Sequence, residues 1–106
     1  MMQEKDRVLL ERFAARLRAF YPEAEIWAFG SRARGDAQPD SDLDLLIVLD
    51  KVNANLDCII RDIAWEIGFE SECVISTVLL EREEFECGPM SESTLVANVL
   101  HEGVRA

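Results

Sequence analysis

A chain of 106 residues, 49% apolar and 30% charged, has the size of one globular domain spanning 1–106. Its formal net charge of −10 excludes an extended nucleic-acid interface, because binding to a phosphate backbone runs on clustered Lys and Arg. No apolar run approaches the roughly 18 residues of a membrane helix, and the polar start Met1-Met2-Gln3-Glu4-Lys5-Asp6 is not a secretory signal, so a cytoplasmic protein is expected.

Leu9, Phe13, Leu17 and Phe20 recur at helical spacing and predict a helix over 4–20, closed by Pro22. Ala24 to Phe29 is short, apolar and aromatic, and reads as a strand that ends at Gly30. Ser31 to Ser41 is polar and holds Gly35 and Pro39; it reads as a loop with a short helical turn at its start. Leu43 to Leu49 is almost continuously apolar, the pattern of a strand covered on both faces. Asn53 to Ile67 reads as a second long helix with Gly68 as its stop. Residues 70–80 are rich in Val, Ile and Thr and predict a third strand. A short turn over Arg82 to Glu86 and a break at Gly88-Pro89 follow. Ser91 then caps a last helix bearing Leu95, Val96, Val99 and Leu100. The predicted order is α-β-loop-β-α-β-α, an α/β fold with a mixed sheet of about three strands. Cys58, Cys73 and Cys87 match no zinc or redox spacing and are expected to be reduced, mostly buried thiols. His101 is expected to face solvent near a helix end.

Two features point to chemistry. Alternate residues of a strand share a face, so Asp42 and Asp44 project side by side. Two carboxylates so close repel, and a hard cation such as Mg²⁺ offsets that repulsion. Upstream, Gly30-Ser31 lets the backbone turn sharply and presents N–H groups suited to phosphate oxygens. Arg32 and Arg34 add planar, positively charged forks beside them. Taken singly, each feature more often marks a turn, a solvated edge or a surface charge; their order, with a strand before and after, favours a nucleotide site.

The run Gly30-Ser31-Arg32-Ala33-Arg34-Gly35, followed by Ser41-Asp42-Leu43-Asp44-Leu45, resembles the minimal nucleotidyltransferases of the DNA polymerase beta superfamily. Their signature is Gly-Ser, ten residues and Asp-x-Asp, and residues 32–41 supply the ten. The resemblance implies a small polymerase-beta-like palm fold. It implies that Gly30 and Ser31 hold the nucleotide's phosphates, that Arg34 lies near them, and that Asp42 and Asp44 bind Mg²⁺, with room for two ions. The implied reaction is in-line attack of an acceptor hydroxyl on the α-phosphate of ATP or another triphosphate, releasing pyrophosphate. Small members of this kind resemble antitoxins paired with a helical HEPN-type protein, whose tyrosine is the implied acceptor.

The resemblance also implies a third carboxylate on the next strand, at about Val74, and that strand holds no Asp. Glu72, on the same face by strand alternation, is the substitute candidate. Two functions therefore compete: a Mg²⁺-dependent nucleotidyltransferase, and a catalytically weak nucleotide-binding module that works by docking on a partner. A small-molecule-modifying transferase is disfavoured, since no second domain is present to hold an acceptor. The apolar last helix is expected to pack mostly on the sheet, leaving a remainder for a homodimer or partner.

Overall fold

The computed structural model describes residues 2–36, 41–86 and 94–106. Helix α1 (Glu4–Arg18) buries Leu9, Leu10, Phe13, Ala14 and Leu17, with acids in its first turn and arginines in its last, as the helix dipole favours. Phe20, expected as the end of that stripe, lies beyond the helix and is exposed. Strand β1 (Glu25–Phe29) runs into a short helix, α2 (Gly30–Arg34), the turn expected at the start of the loop. Strand β2 (Leu43–Leu49) matches its predicted span.

Helix α3 (Ala54–Ser71) opens on Asn53, whose side chain accepts a hydrogen bond from the Leu56 N–H at 2.8 Å. It does not stop at Gly68. A Cβ on Gly68 would sit 2.5 Å from the Cys73 carbonyl oxygen, so this glycine serves a close backbone approach within the helix. The helix ends at Glu72, which takes a left-handed conformation with φ 53°. Strand β3 (Ile75–Glu81) follows, then α4 (Arg82–Glu86), α5 (Thr94–Glu102) and β4 (Val104–Arg105). The expected break at Gly88-Pro89 and the Ser91 cap lie outside the described residues, as does Cys87. Cys58 is exposed and Cys73 half-buried, so the expectation of buried thiols fails for Cys58, which sits on the outer side of α3. His101 is exposed, as expected.

The sheet is mixed and four-stranded, in the order β3-β2-β1-β4. β1 pairs antiparallel with β2 and β4, while β2 and β3 run parallel through the α3 crossover. Val104, expected just beyond the last helix, pairs with Ala28 and adds the fourth strand. Strand alternation sends Leu43, Leu45, Ile47, Leu49, Ile26 and Ala28 to a core under α1 and α3. Leu46, Val48, Trp27 and Phe29 go to a second core under α4 and α5. Covering on both faces explains the almost continuously apolar run of β2, from Leu45 to Leu49. Val96 and Val99 of α5 are buried in the second core, and Leu100 is left exposed.

Candidate active site

The site lies where β1 ends and β2 begins. Antiparallel register sets Phe29 opposite Asp44, which brings Gly30 against the Asp44 side chain. Gly30 has φ +77°, and a Cβ there would come within 2.6 Å of Asp44 Oδ2. Both the backbone conformation and the missing side chain are therefore required for the carboxylate to lie where it does. Ser31 follows, half-buried, in the first turn of α2. Gly35, left-handed with φ 85°, ends that turn, and its N–H donates to the Ser31 carbonyl at 2.9 Å.

Asp42 is exposed and Asp44 half-buried. Burial pushes the Asp44 carboxyl above its ordinary range, and the nearby Asp42 charge adds to the shift. On β3, register places Ser76 beside Asp44, and its hydroxyl donates to Asp42 Oδ2 at 3.3 Å. The Leu43 N–H donates to the Val74 carbonyl at 2.9 Å, which holds Val74, the residue before β3, beside the start of β2. Val74 is exposed. The expected position of a third acid is held by Val74, and the side chain that reaches Asp42 from β3 is the Ser76 hydroxyl.

Glu72 does not fill that gap as expected. It is the left-handed residue that ends α3, three positions before β3 begins, so strand alternation does not apply to it. Among the described residues, no third His, Cys, Asp or Glu joins Asp42 and Asp44 in a metal-sized cluster.

The two arginines part company. Arg32, expected at the nucleotide, is 7% exposed and turned inward. Its Nη1 donates to Asp6 Oδ1 at 2.6 Å and its Nε to the Ser41 carbonyl at 2.7 Å. The physical reason is burial: a guanidinium out of water needs a charge partner, and Asp6 of α1, 2% exposed, supplies it. Arg34 is half-exposed and bonds Asp36 and Glu102 of α5, and both carboxylates raise its pKa further. Its charge is thus already countered by acids.

Asp6 and Ser76 are the residues sequence reasoning missed. Asp6 reads as an ordinary first-turn acid, and Ser76 escapes a search for carboxylates. A further unexpected feature is the exposed pair Trp65 and Phe69 on α3, stacked with centroids 5.3 Å apart. They line an open cavity of about 790 Å³ with Ile75 and Thr77 of β3. Ile75 belongs to the α1/α3 side, so this cavity lies across the sheet from the carboxylates.

The donor set fits a hard divalent cation. Asp44 is half-buried beside the Asp42 charge, both of which raise the cost of ionising it, and its neighbour on the β1 side is a glycine that leaves room for it.

The nucleotidyltransferase domain family matches residues 10–103. A probable protein adenylyltransferase MntA of Haemophilus influenzae is 41% identical over 56 residues, which is 53% of this chain; the match spans 46% of that relative's length. A putative nucleotidyltransferase structure from Sulfolobus solfataricus superposes with a TM-score of 0.59 at 19% identity, covering 96% of this chain and 82% of that one. A mutant MntA-HpeT toxin-antitoxin structure gives 0.56 at 17% identity, over 90% and 69%. A toxin-antitoxin structure with AMP-PNP gives 0.53 at 17%, over 90% and 70%. At those identities the structures speak for the fold, which agrees with the α/β palm expected from the sequence. The family model and the Gly-Ser to Asp-x-Asp geometry converge: this chain belongs to the nucleotidyltransferase domain family.

Proposed function

We propose that this chain transfers AMP from ATP to an acceptor hydroxyl, and that the acceptor is a tyrosine of a helical HEPN-type partner. The observation that carries the reading is the packing of Asp44 against the side-chain-free Gly30 with Asp42 alongside. It joins the phosphate-binding turn and the carboxylate pair into one site. The MntA relative and the toxin-antitoxin neighbours support the adenylyl group and the protein acceptor.

Asp42 and Asp44 would hold Mg²⁺, which when bound neutralises charge on the phosphate oxygens and the leaving pyrophosphate. Gly30 and Ser31 turn backbone N–H groups toward the same place and orient the triphosphate. Arg34 exchanges Asp36 or Glu102 for a phosphate oxygen as the nucleotide enters. The acceptor oxygen forms a bond to the α-phosphorus and gives up its proton to water, while the bond from that phosphorus to the bridging oxygen breaks and pyrophosphate leaves.

The test is direct. The protein, ATP, Mg²⁺ and the product of the neighbouring gene are incubated together, and the partner is weighed by mass spectrometry. An AMP adduct that disappears with Asp42→Ala/Asp44→Ala is the expected result. No adduct under any condition would sink the reading.

A second reading is a nucleotide-binding module with little chemistry. The specific observation in its favour is Val74 and Ser76 where a third acid is expected. ATP binding without adduct formation is its signature.

A further inference from the structure

The Asp6–Arg32 pair is buried, yet an ion pair is a poor way to stabilise a core. Removing two charges from water costs as much as their attraction returns, and an apolar pair of like volume serves stability equally well. What the pair supplies here is direction. Arg32 uses two edges of one rigid guanidinium: Nη1 faces Asp6 of α1, and Nε faces the carbonyl of Ser41. Ser41 immediately precedes Asp42, and Asp42 itself precedes the first ladder residue of β2, Leu43. Asp42 is therefore held on its downstream side by the sheet, through the Leu43 N–H to Val74. On its upstream side the chain is held by Arg32, and its carboxylate is steadied by Ser76. The same Arg32 sits in α2, one residue after Ser31, so it couples the phosphate-binding turn to the first metal carboxylate.

We propose that Arg32, oriented by Asp6, is a positioning residue that sets the backbone entering Asp42 and so the placing of the Asp42-Asp44 pair. The proposal rests on the nucleotidyltransferase reading and assigns Arg32 a role away from the nucleotide. Lysine cannot reproduce it, because a single ammonium lacks the two-edged fork.

The test uses the full chain and Mn²⁺, a paramagnetic substitute for Mg²⁺, followed by electron paramagnetic resonance with and without AMP-PNP. The Asp6→Leu/Arg32→Met variant replaces the pair by apolar groups and removes the Ser41 contact. It should melt within a few degrees of the parent and lose about tenfold or more in Mn²⁺ affinity, with or without nucleotide, as loss of a supporting shell does elsewhere. Arg32→Lys should lose a comparable factor, and Asp6→Asn, which can still accept the Arg32 hydrogen bond, should recover most of it. A folded double variant that binds Mn²⁺ as the parent does overturns the proposal and leaves the nucleotidyltransferase reading intact. The proposal is overturned equally if only AMP-PNP binding falls, for then Arg32 touches nucleotide directly. Should the double variant not fold, Arg32→Lys decides on the same outcomes. A parent that binds neither Mn²⁺ nor AMP-PNP overturns the nucleotidyltransferase reading and this proposal with it.

Discussion

Asp44 is paid for in stability. Its carboxyl is half-buried against Gly30 and feels the Asp42 charge, and both effects raise its pKa in the folded chain. The sign follows from linkage. Well below the ordinary aspartate pKa both states carry the proton, and the site costs nothing. As pH rises, the unfolded chain ionises first, so the folded state loses relative stability until its own carboxyl has ionised, and the deficit then persists. Asp44→Asn removes the charge while keeping the shape. In EDTA near neutral pH it should melt above the parent, and the advantage should vanish toward about pH 3, where the Asp44 carboxyl is protonated in the folded and the unfolded chain alike. Mg²⁺ should raise the parent's melting temperature and leave that of the variant unmoved. Calorimetry across that pH range checks it; coincident melting at neutral pH would show that the site stores no such cost.

At the scale of elements, legibility follows the length and covering of each segment. β2 is readable to its ends because burial on both faces demands a nearly continuous apolar run, and Leu43 to Leu49 supplies it with Asp44 as its one polar residue. The carboxylates just before and inside it are readable for the same reason. β4 is not, since Val104 and Arg105 are too short to show a period and are strand only because β1 offers an edge. Gly68 misleads because a glycine near a helix end signals a stop, whereas here it admits the Cys73 carbonyl. With α3 running on to Ser71, Glu72 falls outside β3, and the substitute acid is lost with the boundary. Sequence assigns Arg32 to the nucleotide because it shows the neighbours in the chain and not Asp6, twenty-six positions away. The structure supplies what sequence could not: the Leu43 N–H bond to the Val74 carbonyl holds Val74, just before β3, beside the start of β2 and Asp42. Val74→Asp should therefore complete a three-carboxylate site. Being exposed, the position takes the change at little cost to folding. Divalent-cation affinity should rise by about tenfold, on the order of one well-placed added ligand, and AMP transfer should rise with it. Titration with Mn²⁺ and the adduct assay measure the two separately. Unchanged affinity would show that position 74 does not face the carboxylate pair.

Over the whole molecule, the charge sets how a nucleotide arrives. The formal net charge is −10 on a body with a radius of gyration of 13.0 Å. A Mg²⁺-nucleotide complex is also anionic, so the long-range field repels it. Close to the site, the one solvent-facing arginine of α2 is already countered by Asp36 and Glu102, which leaves little local attraction to set against that field. At ~10 mM salt the screening length is about 30 Å and the full charge is felt; at ~150 mM it is about 8 Å, shorter than the molecule's own radius, and only the site itself matters. Binding should thus tighten with salt, by about twofold or more at fixed free Mg²⁺, the reverse of the steep weakening that phosphate-neutralising lysines and arginines produce. Titrating AMP-PNP against the protein in stepped KCl measures the slope. A strongly negative slope would mean that Arg34 leaves its carboxylates early and dominates capture; a positive one means that the turn and the metal pair do the binding, and that the surrounding acids slow it.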